Sequence, residues 1–570
     1  MNMAKTLKRK LGNRKPFFRV AWDTEDILEL VGINGGLKGR DIDWRRVEKY
    51  VFKLQKLIYR ASSRGEICKM RKYQRLLTKS YYARLLAVRR ATEDNQGKNT
   101  VGVDGVNFLL PMERLSLVNL LKSFHLKASL PPSVWILKPG KDEKPLLGVL
   151  TIYDRAFQVL VRLGMEPEWE ARFKLNGYGF FGRSIGDAIE TIFDSIKYKP
   201  KFVLDADISG SMIGVDYDTL LGKIGQSPYR QLIKQWLKFG VFDNQQFPSP
   251  LSSWEGMGEG VSQGGVISSL LTAIALYGME ERLNQFARTI DLKNEKGYQE
   301  SWQVKVKSFS FIPYADGFVI LHENLKVVLE AKAVIEEWLN QIGLELKPER
   351  TKMAHTLEEY EGNKPGFDFL GFAIRQWKVK RAKEGFKTLI QPSSKCIKTH
   401  YRKLADICDS HKNASTKALI AKLNPVIRGW ANYYSTVASK EVFHTIDNCL
   451  WKRIWRWASR RHPNKSAKWV KKKYFPNVKG SRSLVFNNGE YILNRHSDVS
   501  IISDIRVKGN KSFYDGEWIY WSDRVGKHPG VRKEVTRLLT GEKNKCAFCR
   551  LTQDLPEGYS IFRANEVQDE

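Results

Sequence analysis

Apolar residues recur along this chain at two different periods. From Lys69 to Arg90 they mix with basic residues at helical spacing, which predicts helices across residues 60–125. Between residues 130 and 375 short apolar runs alternate with longer helical patterns. The runs predict strands at Val134–Leu137, Phe202–Ile208, Phe309–Pro313, Phe318–Leu321 and Phe367–Ile374. The periodic stretches predict helices at Asp154–Glu170, Gly186–Ile196, Ser268–Arg288 and Leu325–Ile342, the last closed by Gly343. Such interleaving predicts an α/β or α+β core. Beyond Arg375 the character changes. Residues 390–475 read as helical, aromatic and basic, and residues 480–540 as short strands and turns marked by Asn487-Asn488-Gly489 and Asp515-Gly516.

Two of the predicted strand ends carry chemistry. Tyr314-Ala315-Asp316-Gly317 lies between apolar runs, as the tight turn of a hairpin would. Such a turn can hold acids over a sheet, where they ligate Mg²⁺. The usual metal-binding turn has two adjacent acids, and here the second is Gly317. Asp205-Ala206-Asp207 ends the run from Phe202, and alternation puts both acids on one face. Two-metal phosphoryl transfer needs carboxylates from at least two segments, with metals roughly 3.5–4 Å apart. Either motif alone reads as solvated turn acids. Together with the glycine-rich stretch Gly260–Ser269, whose backbone can approach phosphates closely, they indicate a nucleotidyl-transfer site missing one ligand.

Charge narrows the partner. The 570 residues, 42% hydrophobic, are enough for two to four domains. Against 62 Asp+Glu stand 95 Lys+Arg, a formal +33 that points to nucleic acid. Sixteen Trp and 22 Tyr exclude a disordered basic tail. No apolar run reaches the ~18–20 residues of a membrane span. Val266–Met279, interrupted by Ser268, Ser269 and Thr272, reads as a buried helix. The basic start (Lys5, Lys8, Arg9, Lys10, Arg14, Lys15, Arg19) lacks an apolar stretch behind it, so a nucleic-acid-binding arm is favoured over a secretory signal or a transit peptide. Six scattered cysteines form no disulfide framework, and a reducing compartment is expected.

The densest positive segment runs from Trp451 to Lys473, with ten Lys or Arg in 23 residues and no acid. Trp451, Trp455 and Trp457 share its turns. Cations neutralise phosphates and aromatic rings can stack on unpaired bases, although tryptophans in such a helix are more often core.

The ordered motifs resemble those of group II intron-encoded reverse transcriptases, the RT–maturases. Asn95–Gly105 (NQGKNTVGVDG) resembles their N-terminal glycine loop, and Lys144–Arg155 (KPLLGVLTIYDR) their fingers motif. Tyr178–Ile189 (YGFFGRSIGDAI) is a close match. Leu204–Gly210 (LDADISG) resembles the first catalytic motif, Gln263–Ser268 (QGGVIS) the template-and-primer loop, Tyr314–Asp316 the YADD box, and Gly366–Phe372 the strand pair before the thumb. Leu423–Tyr434 and Trp451–Lys473, down to Arg460–Ser466 (RRHPNKS), resemble maturase domain X. The departures fall in the catalytic motifs: Gly317 for an acid, Met212-Ile213 for a Phe-Asp pair, Ser262 and Ser269 for prolines, Lys144 for Arg and Leu150 for Pro.

The resemblance implies an α+β right-hand polymerase of fingers and palm, with a helical thumb and maturase domain and a small basic C-terminal module. Its divisions would be a basic N-terminal extension (1–60), fingers and palm (61–380), thumb and domain X (385–480), a DNA-binding-like segment (481–540) and a truncated HNH nuclease remnant (541–570). Cys546 and Cys549 are one pair where a zinc site needs four ligands, so no zinc is expected. Asp207 and Asp316 are the implied catalytic acids and Mg²⁺ ligands, if the palm site is retained. Implied nucleic-acid contacts are Arg183, Gln263, Gly264 and Gly265, then Arg428, Lys452, Arg453, Arg456, Arg460, Arg461, Lys465, Lys471, Lys472 and Lys473. The implied function is maturation of a group II intron RNA with a weak or inactive polymerase, in a bacterial cytoplasm or an organelle. An active RNA-directed DNA polymerase supporting intron mobility and a non-specific structured-RNA binder are the rivals. DNA and a homodimer stay open as partners, and no membrane is expected.

Overall fold

Asp43 opens α1 (Trp44–Ser63) by accepting from the amides of Arg45 and Arg46, both at 3.1 Å, the favoured chemistry of a helix start. The computed structural model describes residues 42–94, 106, 109–122, 151–173, 183–209, 215–238, 266–294, 296–476, 485–502, 506–509, 511–517, 520, 521 and 524. Val47, Val51, Leu54, Ile58 and Ala61 form the buried face of α1. The stretch up to residue 60, expected as an extension, therefore contributes a helix to the main core. α2 (Ile67–Lys79) and α3 (Tyr81–Arg89) are parted at Ser80, whose backbone is extended, so the run Lys69–Arg90 is two helices. α4 (Pro111–Leu120) begins on proline, where a missing amide costs nothing. α5 (Ile152–Glu170) is buried on nearly every side, with α1, α2 and α3 packed round it. Glu168 of α5 meets Arg71 at 2.6 Å and Gln74 at 2.7 Å inside this cluster. Removing one partner of such a buried pair is costly.

α6 (Ile185–Ile196) starts with a reciprocal Ser184–Asp187 cap and leads to β1 (Phe202–Ser209). α7 (Tyr217–Ile224), α8 (Arg230–Lys238), α9 (Ser268–Ala275) and α10 (Met279–Thr289) follow. The expected single helix Ser268–Arg288 is broken at Gly278, whose φ of +106° no helix admits. α11 (Trp302–Ser308) precedes the hairpin of β2 (Ser310–Tyr314) and β3 (Gly317–His322). α12 (Leu325–Asn340) ends before Gly343, as expected, and β4 (Glu345–Leu346) and β5 (Lys352–His355) complete the sheet. β1 is its centre, antiparallel to β3 on one edge and to β4 and β5 on the other. Leu204, Ala206 and Ile208 face the main helical core, while Val203 joins Ile312, Val319 and Leu321 in a second core. Asp205 and Asp207 share the Val203 face.

β6 (Phe367–Phe369), β7 (Phe372–Lys378) and β8 (Phe386–Pro392) form a second antiparallel sheet. The expected strand Phe367–Ile374 folds back at Leu370 and Gly371, at φ +51° and +81°, the positive pair that a two-residue hairpin turn demands. α13 (Ser394–Ser410), α14 (Thr416–Tyr433), α15 (Lys440–Arg460) and α16 (Ala467–Tyr474) pack round a third core that includes Leu404, Leu419, Ile427, Ile446 and Ile454. In place of the strands expected after residue 480, the described residues there hold one bridge, Asn487 to Ile492, a 3₁₀ turn at His496–Asp498, further turns and the helical Tyr520, Trp521 and Arg524. The described residues between 506 and 524 return to α1 and α6. Tyr514 packs on Phe52 and Tyr59 of α1, and Arg524 pairs with Asp187 at 2.6 Å. Val134–Leu137 and the Cys546/Cys549 pair lie outside the described residues.

A buried chain of polar groups ties residues 485–502 to the C-terminal helices. The carboxylate of Asp447 lies 2.6 Å from His496 Nδ1, His496 Nε2 lies 2.8 Å from His400 Nε2, and His400 stacks on Trp430 at 4.4 Å. Burial, then the neighbouring His496 and Lys403, push the His400 imidazole down to about 3. An unfolded histidine titrates near ~6.5. The stability gained by keeping His400 neutral is therefore whole above that value. It drains as pH falls from there toward 3, at up to about 1.4 kcal/mol per pH unit. Near-UV circular dichroism should show the aromatic signal of this unit weakening across that window. His400→Phe, which keeps the ring stack but has no proton to gain, should flatten the dependence.

Candidate nucleotidyl-transfer site and basic helical face

The β2–β3 hairpin closes on Ala315 and Asp316, between the paired Tyr314 and Gly317. Ala315 takes φ +56°, a conformation costing an L-residue roughly 1–2 kcal/mol and found disproportionately at functional sites. The turn brings Asp316 to the end of β1. The Ile208 amide donates to the Asp316 carbonyl at 2.8 Å, and Gly317 is in register with Asp207. Asp316 is only 6% exposed. The two acids named from sequence thus come together from separate segments, with Asp205 two residues back on the same face of β1.

A third segment, which the sequence did not reveal, reaches the end of β1. The Lys347 amide donates to the backbone carbonyl of Asp207 at 2.8 Å. One 3₁₀ turn, Pro348–Arg350, follows, closed by the Arg350 amide donating to the Lys347 carbonyl at 3.1 Å. Arg350 then donates its guanidinium to Asp207 Oδ2 at 3.0 Å. The other oxygen, Oδ1, faces Gly317, where an added Cβ would lie 2.9 Å away. Among the described residues, no group of three or more His, Cys, Asp or Glu is gathered as a metal ion would require. Asn95–Gly105, Met212-Ile213 and the loop of Gln263, Gly264 and Gly265 lie outside the described residues.

The basic candidates divide into two kinds. Arg428, Lys452, Arg456, Arg460, Lys465, Lys471, Lys472 and Lys473 are exposed. Arg453 is ion-paired with Asp409. Arg461 donates to the carbonyls of Lys412 and Ala414 and lies over the Trp457 ring at 4.5 Å. Arg183 donates to the Gly509 carbonyl at 3.3 Å, so it faces the returning C-terminal segment. Trp457 is buried and donates to the His411 carbonyl at 3.0 Å. Trp451 and Trp455 stack at 5.5 Å against Phe475, with Trp451 36% exposed. A second positive surface was missed in the sequence. Arg45, Arg46, Lys49, Lys53, Arg60 and Arg64 along α1, and Lys69, Lys72, Arg75 and Lys79 on α2, are all exposed. The helical spacing of Arg46, Lys49, Lys53, Arg60 and Arg64 was the available signal.

Three family models match successive parts of the chain. A family model for the N-terminal domain of reverse transcriptase matches residues 40–121. One for reverse transcriptase (RNA-dependent DNA polymerase) matches residues 136–374, the region of mixed helix and sheet that holds the acid pair. One for the group II intron maturase-specific domain matches residues 397–475, which carry the basic face of α15 and α16. Protein YkfC of Escherichia coli is 28% identical over 332 residues, 53% of this chain and 82% of its own. Maturase-like protein 1 of Euglena gracilis is 25% identical over 404 residues, 69% of this chain and 76% of its own. The group II intron-encoded protein LtrA of Lactococcus lactis is 26% identical over 294 residues, 42% of this chain and 46% of its own.

The division of the basic residues is testable by stability alone. Arg461→Ala removes two hydrogen bonds and a ring contact, and should cost on the order of 1–3 kcal/mol in a thermal or urea melt. Lys472→Ala, on an open face, should stay within about 0.5 kcal/mol of the parent.

Proposed function

This chain belongs to the family of group II intron-encoded reverse transcriptases and maturases, and from that premise we propose that it is an intron maturase. It binds and stabilises intron RNA so that the RNA splices, on a reverse-transcriptase scaffold whose polymerase site is impaired. One observation carries the reading: the exposed Lys452, Arg456, Arg460, Lys471, Lys472 and Lys473 stand on helices with a core of their own, in a stretch without a single acid. A one-signed face of this density calls for a polyanion. Each neutralised phosphate releases counterions, and structured RNA is read mainly through its backbone and shape. The RNA supplies the splicing chemistry, and the protein contributes binding free energy to the spliceable fold. In right-hand terms α1–α5 serve as fingers, β1–β5 as palm and α13–α16 as thumb and maturase domain. The cations of α1 and α2 extend the RNA surface.

Impairment of the polymerase rests on Gly317. In phosphoryl transfer the bound metal stabilises the developing charge, and loss of a carboxylate that would hold it lowers the rate by orders of magnitude. An active polymerase supporting intron mobility is the second reading, favoured by the meeting of Asp207 and Asp316 at the hairpin. Among the described residues no helix is long and apolar enough to cross a membrane.

Replacing Lys452, Arg456, Lys471 and Lys472 together by Ala should weaken binding to a group II intron. The slope of log affinity against log salt should fall by about one unit per lost phosphate contact. The same variant should slow splicing at low Mg²⁺. An unchanged slope would place the RNA surface elsewhere, and splicing equal with and without the parent protein would leave only a general RNA binder. Primer extension on an RNA template should yield little or no cDNA, and robust synthesis would establish the second reading.

A further inference from the structure

The geometry points to Arg350 as the resident counter-cation of Asp207: the hairpin site is an internal ion pair where a divalent cation would otherwise neutralise the carboxylate. The backbone brings Arg350 to this carboxylate. The turn that carries Arg350 is pinned by the Lys347 amide to the carbonyl of Asp207 itself, at 2.8 Å. Three residues later the guanidinium reaches the carboxylate of the same aspartate, at 3.0 Å. Backbone and side chain of one residue thus fix both ends of the contact, and β4 and β5 hold the segment on either side.

Gly317 fits this arrangement and opposes the alternative. It leaves the space into which Asp207 Oδ1 projects, since a Cβ there would lie 2.9 Å from that oxygen. A side chain at 317 would displace that oxygen, and an acid there would set a further negative charge beside Asp207. Mg²⁺ asks for near-octahedral oxygen ligands at roughly 2.0–2.1 Å. The described donors on this face are the acids of β1 and the hairpin, with Oδ2 of Asp207 already directed at a cation. The donor set therefore does not fit a two-metal centre. Replacing Gly317 alone restores a ligand but leaves Arg350 in competition for it, so recovery of cation binding takes two substitutions.

This inference rests on reading the acids as a former nucleotidyl-transfer site, and the two fail separately. A chain that copies RNA overturns that reading, whereas a chain that binds the cation at Asp207 without copying overturns only the inference. The probe is Mn²⁺ on the full-length protein, with free Mn²⁺ followed by electron paramagnetic resonance. The parent should show no saturable site that Asp207→Asn abolishes. Gly317→Asp with Arg350→Gln should gain such a site, at least tenfold tighter than Gly317→Asp alone. A parent site lost in Asp207→Asn, or equal affinity with and without Arg350→Gln, would overturn the assignment. If the double variant does not fold, melts of Asp207→Asn, Arg350→Gln and their combination decide. The two single losses should fail to add when the pair is present, and strict additivity would count against it.

Discussion

The register of β1 is the constraint on which the site depends. It is bonded on both edges, to β3 over Phe202–Asp207, to β5 over Phe202–Asp205 and to β4 at Ile208 and Ser209. That placement fixes three things at once. It sets Asp207 opposite Gly317, puts the hairpin acid beside the strand end, and leaves the gap between β4 and β5 through which the Arg350 turn approaches. A one-residue slip would turn Asp205 and Asp207 into the main apolar core and take Leu204 and Ala206 out of it. The cost of burying those charges unpaired is what protects the register.

The basic face obeys a different logic. α15 and α16 carry their cations on the outside of a unit whose interior is aliphatic and aromatic. Repulsion along the helices is tolerated because the core, not the surface, decides their packing. Some cations are committed to architecture: Arg453 to Asp409, Arg461 to the carbonyls beside Trp457. The returning segment joins the two ends of the described chain, with Tyr514 seated on α1 and Arg524 on the cap of α6.

Much of this is legible in the residues themselves. β1, the β2–β3 hairpin, α5, α6 and α12 follow from period and flanking residues, and the Asp207–Asp316 meeting follows from strand alternation plus a tight turn. The misreadings have local causes. Gly278 interrupts an otherwise helical apolar run, and Ser80 divides another with no strong breaker. Leu370 takes a left-handed conformation that its residue type does not advertise. Arg350 is illegible for a different reason: it lies 143 residues from its partner, and nothing in Lys347–Thr351 signals where β4 and β5 will hold it. The cations of α1 and α2 are visible in their spacing, but the stretch resembles a tail unless its apolar face is known to be buried.

The most direct test of the central claim is a lysine-acetylation footprint of the full-length protein with and without a folded group II intron. Protection of Lys452, Lys471, Lys472 and Lys473 by the intron, and not by an unstructured RNA of equal length, is the predicted result. Equal modification of these lysines in all three conditions would contradict it.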